Sequence, residues 1–262
     1  KAALRAKAAS AFEQAYSYVI HAYAFMHNSP EILTQENQKQ LYTIYSELAY
    51  LTGAFPVSLT MGEKAIALAS DALDASEAYR IRILSLMALN KPINAVKAAQ
   101  ECLSNLNYPF PLKPKRLQMT LQFFLLKLKL TGKGDSQILN MPKMEDQSDI
   151  MTMSIMQTIF PPAAFSIPYL LPNIMLKMMD ITLSKGLPPN AGFVFAAYGS
   201  MVCAYRNDIK TAYRFGKLGL ACGRTQKGRP YYSTVCSLYG SIIGHWKEHI
   251  RYKDYSIEGY ES

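Results

Sequence analysis

Apolar residues recur at steps of three and four through nearly the whole chain, which is the spacing of one face of an α-helix. The first run predicts one long helix that carries Ala8, Phe12, Ala15, Val19, Ala22 and Met26. Gly53 ends a later run, and Pro56 can open the next helix because the first turn does not use its missing N–H. No window alternates strictly between apolar and polar residues, as a half-buried strand would. The pattern predicts an all-α chain of about eleven helices.

The helix predicted over residues 74–89 is apolar on most of its sides, through Ala78, Tyr79, Ile81, Ile83, Leu84, Leu86 and Met87. Such a helix must be covered on more than one face, which stacked helical hairpins achieve. We therefore expect an α-solenoid of stacked antiparallel hairpins. Its predicted parts are N-terminal repeats over 1–106, a connector helix with a polar loop over 107–149, and C-terminal repeats over 150–262, all in one continuous solenoid.

Three of these hairpins share a type of turn residue: Gly53, Asn90 and Asn207. Glycine and asparagine are the residues that best tolerate a left-handed backbone, which commonly ends a helix. Small residues that permit a close helix crossing follow each turn, among them Ala65, Ala99, Gly216 and Gly219. The turns therefore predict where the two helices of each hairpin meet.

At these residues the chain resembles tetratricopeptide repeats. More narrowly, it is similar to the helical region of large bacterial signalling proteins, which lies between an AAA-type ATPase module and a kinase or nucleotide-cyclase output domain. The most specific segments are 168–172 (PYLLP), 191–199 (AGFVFAAYG) and 244–251 (GHWKEHIR). The chain lacks the usual tryptophan of the repeat, and Gly53 and Asn90 lie 37 positions apart (90 − 53) where about 34 is usual.

The resemblance implies a cytoplasmic docking or relay scaffold for signal transduction that is not an enzyme and has no cofactor. Its partner would be a protein, either another domain of its own chain or a separate molecule, and its oligomeric state stays open. The chain itself, which starts at Lys1, is expected to be part of a longer protein. In such repeats the first helix of each hairpin lines the concave face. The predicted partner-binding residues are Gln40, Thr43, Glu47, Tyr50, Glu77, Arg80, Leu84, Met201 and Tyr205.

Composition adds a positive charge but no reactive site. The 28 Lys and Arg residues exceed the 19 Asp and Glu residues, for a net charge of +9. This excess favours acidic partners, although it is spread along the chain and predicts a solvated basic surface. The four cysteines are far apart, which argues against a zinc site or a disulfide framework and suits a reducing cytoplasm.

Nucleic acid is the main alternative partner for a basic helical protein. The relevant residues are Lys113, Lys115, Arg116, Lys127 and Lys129, together with Phe110, Phe123 and Phe124. The phenylalanines fall on predicted core positions, and no known nucleic-acid-binding module is present. We therefore do not expect nucleic acid to be the partner.

Residues 150–176 contain no charged side chain and are numerous enough to cross a bilayer. Pro161, Pro162, Pro168 and Pro172 would break such a helix and leave carbonyls unpaired in lipid. The sequence therefore predicts buried helices and no membrane span. A second hypothesis makes the chain a small-ligand sensor, in which residues 150–185, rich in methionine and proline, line an apolar pocket between the two halves. Core packing of these methionines is the simpler interpretation.

Two motifs could suggest catalysis. His245 and His249 with Glu248 form a His-x-x-Glu-His pattern that can bind zinc. Such a site needs a third ligand, usually well downstream, whereas only thirteen residues follow His249, so a terminal helix with Trp246 packed inward is expected instead. Residues 131–136 contain two glycines and a lysine without the spacing of a phosphate-binding loop.

Overall fold

The computed structural model describes residues 1–28, 33–225, 228–244, 246 and 252–261. These residues are almost entirely helical and contain no strand, which confirms the predicted all-α class. The helices are α1 (Ala2–Ala8), α2 (Phe12–Asn28), α3 (Gln35–Leu51), α4 (Phe55–Leu68), α5 (Ala72–Ala88), α6 (Pro92–Asn105), α7 (Arg116–Leu130), α8 (Asp135–Leu139), α9 (Gln147–Thr158), α10 (Phe160–Ser166), α11 (Leu171–Lys185), α12 (Ala191–Arg206), α13 (Ile209–Gly223), α14 (Tyr232–Leu238), which continues as a π-helix over Tyr239–Gly244, and α15 (Tyr252–Glu261).

There are more helices than the predicted eleven, because several runs are interrupted. The predicted first helix is divided between α1 and α2, since Ser10 adopts a left-handed backbone with φ of 58°. The polar loop predicted over 131–149 contains α8 and the start of α9. Most of the predicted last helix beyond Gly244 lies outside the described residues.

The chain divides into two compact units. Unit 1 comprises Lys1–Phe110 with Thr158–Pro168, and unit 2 comprises Pro111–Gln157 with Tyr169–Ser262. The return of the chain to unit 1 is explained by α10, which packs against α6. A single continuous solenoid stays a prediction.

Unit 1 contains three hairpins, formed by α1 with α2, α3 with α4, and α5 with α6. Each turn is closed by a residue of positive φ, which is Ser10 in the first, Gly53 (81°) in the second and Asn90 (56°) in the third. After Gly53, the amide of Ala54 donates to the Ala49 carbonyl at 2.7 Å and so satisfies one of the free carbonyls at the end of α3. The left-handed turns predicted at Gly53 and Asn90 are confirmed, as is Asn207 (53°) in unit 2.

Neighbouring hairpins of unit 1 are joined through small buried groups. Helix α3 packs against both α4 and α5. Ser58 donates to the Ser46 carbonyl at 2.8 Å, and its hydroxyl lies 2.8 Å from that of Ser85. All three serines are buried and lie on different helices. Small side chains bonded in this way let three helices approach closely without leaving a buried hydroxyl unpaired.

Unit 2 is organised around α12, in which every residue from Ala191 to Cys203 is buried. Helices α11, α13 and α14 and the π-helix all pack against it. Helices α12 and α13 approach closely because both have glycine at the crossing. A Cβ added at Gly192 would lie only 2.9 Å from the Gly219 carbonyl oxygen. The close crossing predicted for Gly219 is confirmed. Gly216 instead faces Tyr239, whose ring would lie 2.6 Å from an added Cβ.

The uncharged stretch 150–176 is divided among α9, α10, a 3₁₀ turn at Pro168–Leu170, and α11. In the part of the chain that the structure describes, no helix combines the length and the apolar character needed to cross a membrane. The methionines pack in the interior as expected: Met153, Met156, Met175, Met178 and Met179 are buried, and Met151 is half-buried.

We predict that Gly192→Ala lowers the free energy of unfolding by about 1–3 kcal/mol, because its methyl group would overlap the backbone of α13 and force the two helices apart. Gly134→Ala is the matched control, since an added Cβ there meets no atom within 4 Å. Urea denaturation of both variants measures the difference. Equal stabilities would show that the α12–α13 crossing is not tightly packed.

Candidate functional site

The first part of the predicted partner surface lies on α3, where several polar groups already have partners within unit 1. Gln40 is exposed and donates to Glu36 at 2.7 Å, and Thr43 donates to the Lys39 carbonyl at 3.0 Å. Glu47 is half-buried and accepts from the Lys7 ammonium of α1 at 2.5 Å. The ring centroid of Tyr50 lies 6.0 Å from that of Phe55 in the same hairpin.

The remaining predicted residues divide between the two units. Glu77 and Arg80 form a two-point ion pair with each other on α5, at 2.7 and 2.9 Å, and Leu84 on the same helix is half-buried. In unit 2, Tyr205 is exposed, whereas Met201 is only 3% exposed and therefore does not line an open surface. The nine residues thus form no single uniform patch, and their role in binding stays a prediction.

One ion pair connects the first helices of successive hairpins. Lys39 of α3 donates to Asp74 of α5, and the Ser70 amide donates to the same carboxylate at 2.9 Å. These two bonds lower the pKa of Asp74 below its usual value, and the Lys39 bond has the larger effect. This ion pair holds together the helices that carry seven of the nine predicted residues, which are Gln40 to Tyr50 on α3 and Glu77 to Leu84 on α5.

Helix α7 presents an apolar face to solvent. Leu117 is 82% exposed, and the face continues through Leu121, Phe124, Leu125 and Leu128, each about half exposed. These positions follow the i, i+4, i+7, i+8 and i+11 spacing of one helix face. The opposite face, with Leu126 and Leu130, is the buried one. We call the exposed set the α7 outer face.

Basic side chains surround the α7 outer face. Lys113, Lys115 and Arg116 precede it, and Lys127 and Lys129 lie among its last residues. No acidic residue occurs in the sequence between Glu101 and Asp135, so every charged residue of this segment is basic. Lys129 alone among the five forms an ion pair in the part of the chain described, with Asp180 at 2.5 Å. An apolar stripe with a free basic rim is therefore open to an acidic partner.

The phenylalanines near this face do not share one environment. Phe110 is buried in unit 1, Phe123 is half-buried, and Phe124 is 56% exposed on the α7 outer face. The core position expected for Phe124 is therefore wrong, because α7 has two apolar faces and its fold buries only one.

Three cavities of unit 2 are lined by described residues. One, of about 610 Å³, is lined by Arg229, Ser237 and Tyr260 among others. Another, of about 440 Å³, is mainly apolar and is lined by Leu139, Met144, Leu187 and Pro188 among others. The third, of about 420 Å³, lies at α7, α12 and α13. None of these linings includes a residue of 150–185, the segment that the sensor hypothesis expects to form a pocket.

The groups of potential chemical reactivity are the histidine motif and the cysteines. Within the ranges that the structure describes, no group of three His, Cys, Asp or Glu side chains could hold a metal ion, while His245 and His249 lie outside those ranges. Trp246 is 51% exposed, so its predicted inward packing is wrong. Burial raises the pKa of Cys102 to about 12 and of Cys222 to about 11, which keeps both thiols protonated and weakly nucleophilic.

No family model, curated protein or solved structure matches this chain in the three comparisons.

We predict that Asp74→Asn destabilises the fold at pH 7 and that the effect shrinks as the pH falls below about 4. The pKa of Asp74 is lower in the folded chain, so its charge stabilises the fold above the unfolded pKa, and this contribution is lost as the pH falls through the folded pKa. Urea denaturation at several pH values checks this. Glu145→Gln removes an equal charge at an exposed position that forms no ion pair in the described ranges. A pH-independent effect of Asp74→Asn would argue against the ion pair.

Proposed function

We propose that this chain is a non-catalytic protein-interaction scaffold whose hairpins stack as a tetratricopeptide-like α-solenoid. Support comes from unit 1, where successive first helices are linked by Lys7–Glu47 and Lys39–Asp74. The second helices α2 and α4 are linked as well, since Lys64 donates to Tyr23 at 2.9 Å. In a stack of repeated hairpins, the first helix of each hairpin contacts the first helix of the next, and the second helix contacts the second.

The α7 outer face is the observation that carries the interaction role. Monomeric proteins rarely expose a contiguous apolar patch of this size unless it binds something. Apolar anchors one and two turns apart on a helix are a common means of docking into a groove of another protein. The basic rim adds a preference for acidic side chains around that groove. We propose a protein partner of this kind, either another domain of the same chain or a separate molecule.

A second copy of this chain is a poorer occupant of the α7 outer face. Two copies meeting there would bring Lys113, Lys115 and Arg116 of one against the like-charged rim of the other, which disfavours association. Under the same proposal, the scaffold relays signals in the cytoplasm between a nucleotide-driven module and an output domain of a larger bacterial protein.

The test compares the two candidate surfaces in a capture experiment with the whole chain as bait. We expect Leu121→Glu combined with Phe124→Glu to abolish retention of a discrete protein from lysate of the source organism, because it places two carboxylates on the docking face. Both side chains are more than half exposed, so folding should be unaffected. Ile93→Glu, at an exposed apolar position of unit 1, is the matched control.

Tyr50→Ala combined with Arg80→Ala tests the surface predicted on α3 and α5 in the same experiment. If this variant alone fails to retain the partner, the docking site lies in unit 1 and not on the α7 outer face. Retention by all variants, or retention of anionic lipid vesicles in place of any protein, would contradict the proposed partner class.

A further inference from the structure

The 420 Å³ cavity of unit 2, which we call the α7–α13 cleft, carries an inference beyond the scaffold role. Three helices contribute to it, with Phe123 and Lys127 from α7, Tyr198 and Arg206 from α12, and Arg214 from α13, while Asp208 precedes α13. These residues are far apart in the sequence, and only the fold brings them to one place. The volume lies within the range of small-molecule sites, roughly 300–1,000 Å³.

The charges of the cleft favour an anion. Three cations line it against one carboxylate. Lys127 and Arg206 form no ion pair within the described ranges, and the Arg206 guanidinium is held over the Phe123 ring at 4.4 Å from its centroid. Arg214 is anchored by Asp135 at 2.5 Å and by the Lys133 carbonyl at 2.6 Å. A guanidinium has five N–H donors, so Arg214 keeps others for a ligand.

Asp208, the one acidic residue in the lining, is already occupied by the cap of α13. Its carboxylate accepts the Thr211 amide at 3.0 Å and the Thr211 hydroxyl at 2.7 Å. These two bonds are the main reason that the pKa of Asp208 is below its usual value. They also orient its carboxylate toward the first turn of α13, so Asp208 does not bridge the three cations.

Tyr198 adds a phenol to the cationic lining of the cleft. The residue is 2% exposed and lines the cavity. Burial raises the pKa of Tyr198 to about 12, so the phenol is neutral at pH 7 and can donate a hydrogen bond. A ligand oxygen inside the cleft would accept it.

We propose that the α7–α13 cleft binds a small organic phosphate monoester. Its phosphoryl oxygens would accept from Lys127, Arg206, Arg214 and the Tyr198 hydroxyl, which together offer more donors than the two oxygens of a carboxylate can use. The organic part would lie against the apolar part of the lining, where Leu130 and Phe215 are found. Such a ligand would make the scaffold responsive to a small molecule at a site separate from the α7 outer face.

Calorimetric titration of the purified chain with phenyl phosphate tests this site without any protein partner. We expect one saturable site whose affinity falls about tenfold or more in Lys127→Ala and in Arg206→Ala, since each loses a charged hydrogen bond. Tyr198→Phe, which removes only the hydroxyl, should weaken binding by about two- to tenfold. Lys97→Ala, at an exposed lysine of α6 that forms no ion pair among the described residues, is the charge-matched control and should bind normally.

Two further measurements distinguish a specific phosphate site from nonspecific binding of anions to a basic protein. Affinity should fall below about pH 6, where the monoester loses its second charge, and phenyl sulfate, a monoanion of similar shape, should bind more weakly. Absence of saturable binding, or equal losses in Lys97→Ala and Lys127→Ala, would overturn the proposal. Binding of a phosphoserine peptide without binding of phenyl phosphate would also overturn it, in favour of a phosphorylated partner.

Discussion

The complete burial of α12 is the constraint on which unit 2 depends. A helix with no polar side along thirteen residues, Ala191 to Cys203, must be surrounded, and α11, α13, α14 and the π-helix each cover part of it. Glycine at Gly192 and Gly219 allows α13 to approach to backbone contact. The same requirement acts more weakly on α5 in unit 1, where eight residues are buried and α5 packs against α3, α4 and α6.

Helix α7 carries residues of both the proposed docking face and the proposed ligand cleft. Its inner face, with Leu126 and Leu130, is used by the fold, while its outer face has no cover among the described residues. Lys127 lies at the boundary between the two, next to Leu128 of the outer face and in the lining of the cleft. A ligand in the cleft and a partner on the outer face would therefore contact the same helix. This arrangement suits a scaffold in which small-molecule binding modulates docking.

Much of the fold could be predicted because its signals are local. Helical periodicity, prolines that divide 150–176, and asparagine or glycine at left-handed turns all act within a few residues. The interruption at Ser10 was missed, since serine is an uncommon left-handed residue. Periodicity shows that Phe124 lies on an apolar face but not whether a neighbour covers it, so its exposure was not predictable. The cleft could not be predicted either, because Lys127, Tyr198 and Arg214 meet only in the folded chain.

The most direct test of the account is the reactivity of a thiol placed on each face of α7. Leu121→Cys and Leu126→Cys differ by five positions on one helix, and the native cysteines are buried or half-buried and give a low background. With a maleimide reagent, the account predicts rapid labelling at position 121 and strong protection at 126 in the purified chain. Slow labelling at both positions would show that the outer face is already covered, and the docking function would then have to be assigned elsewhere.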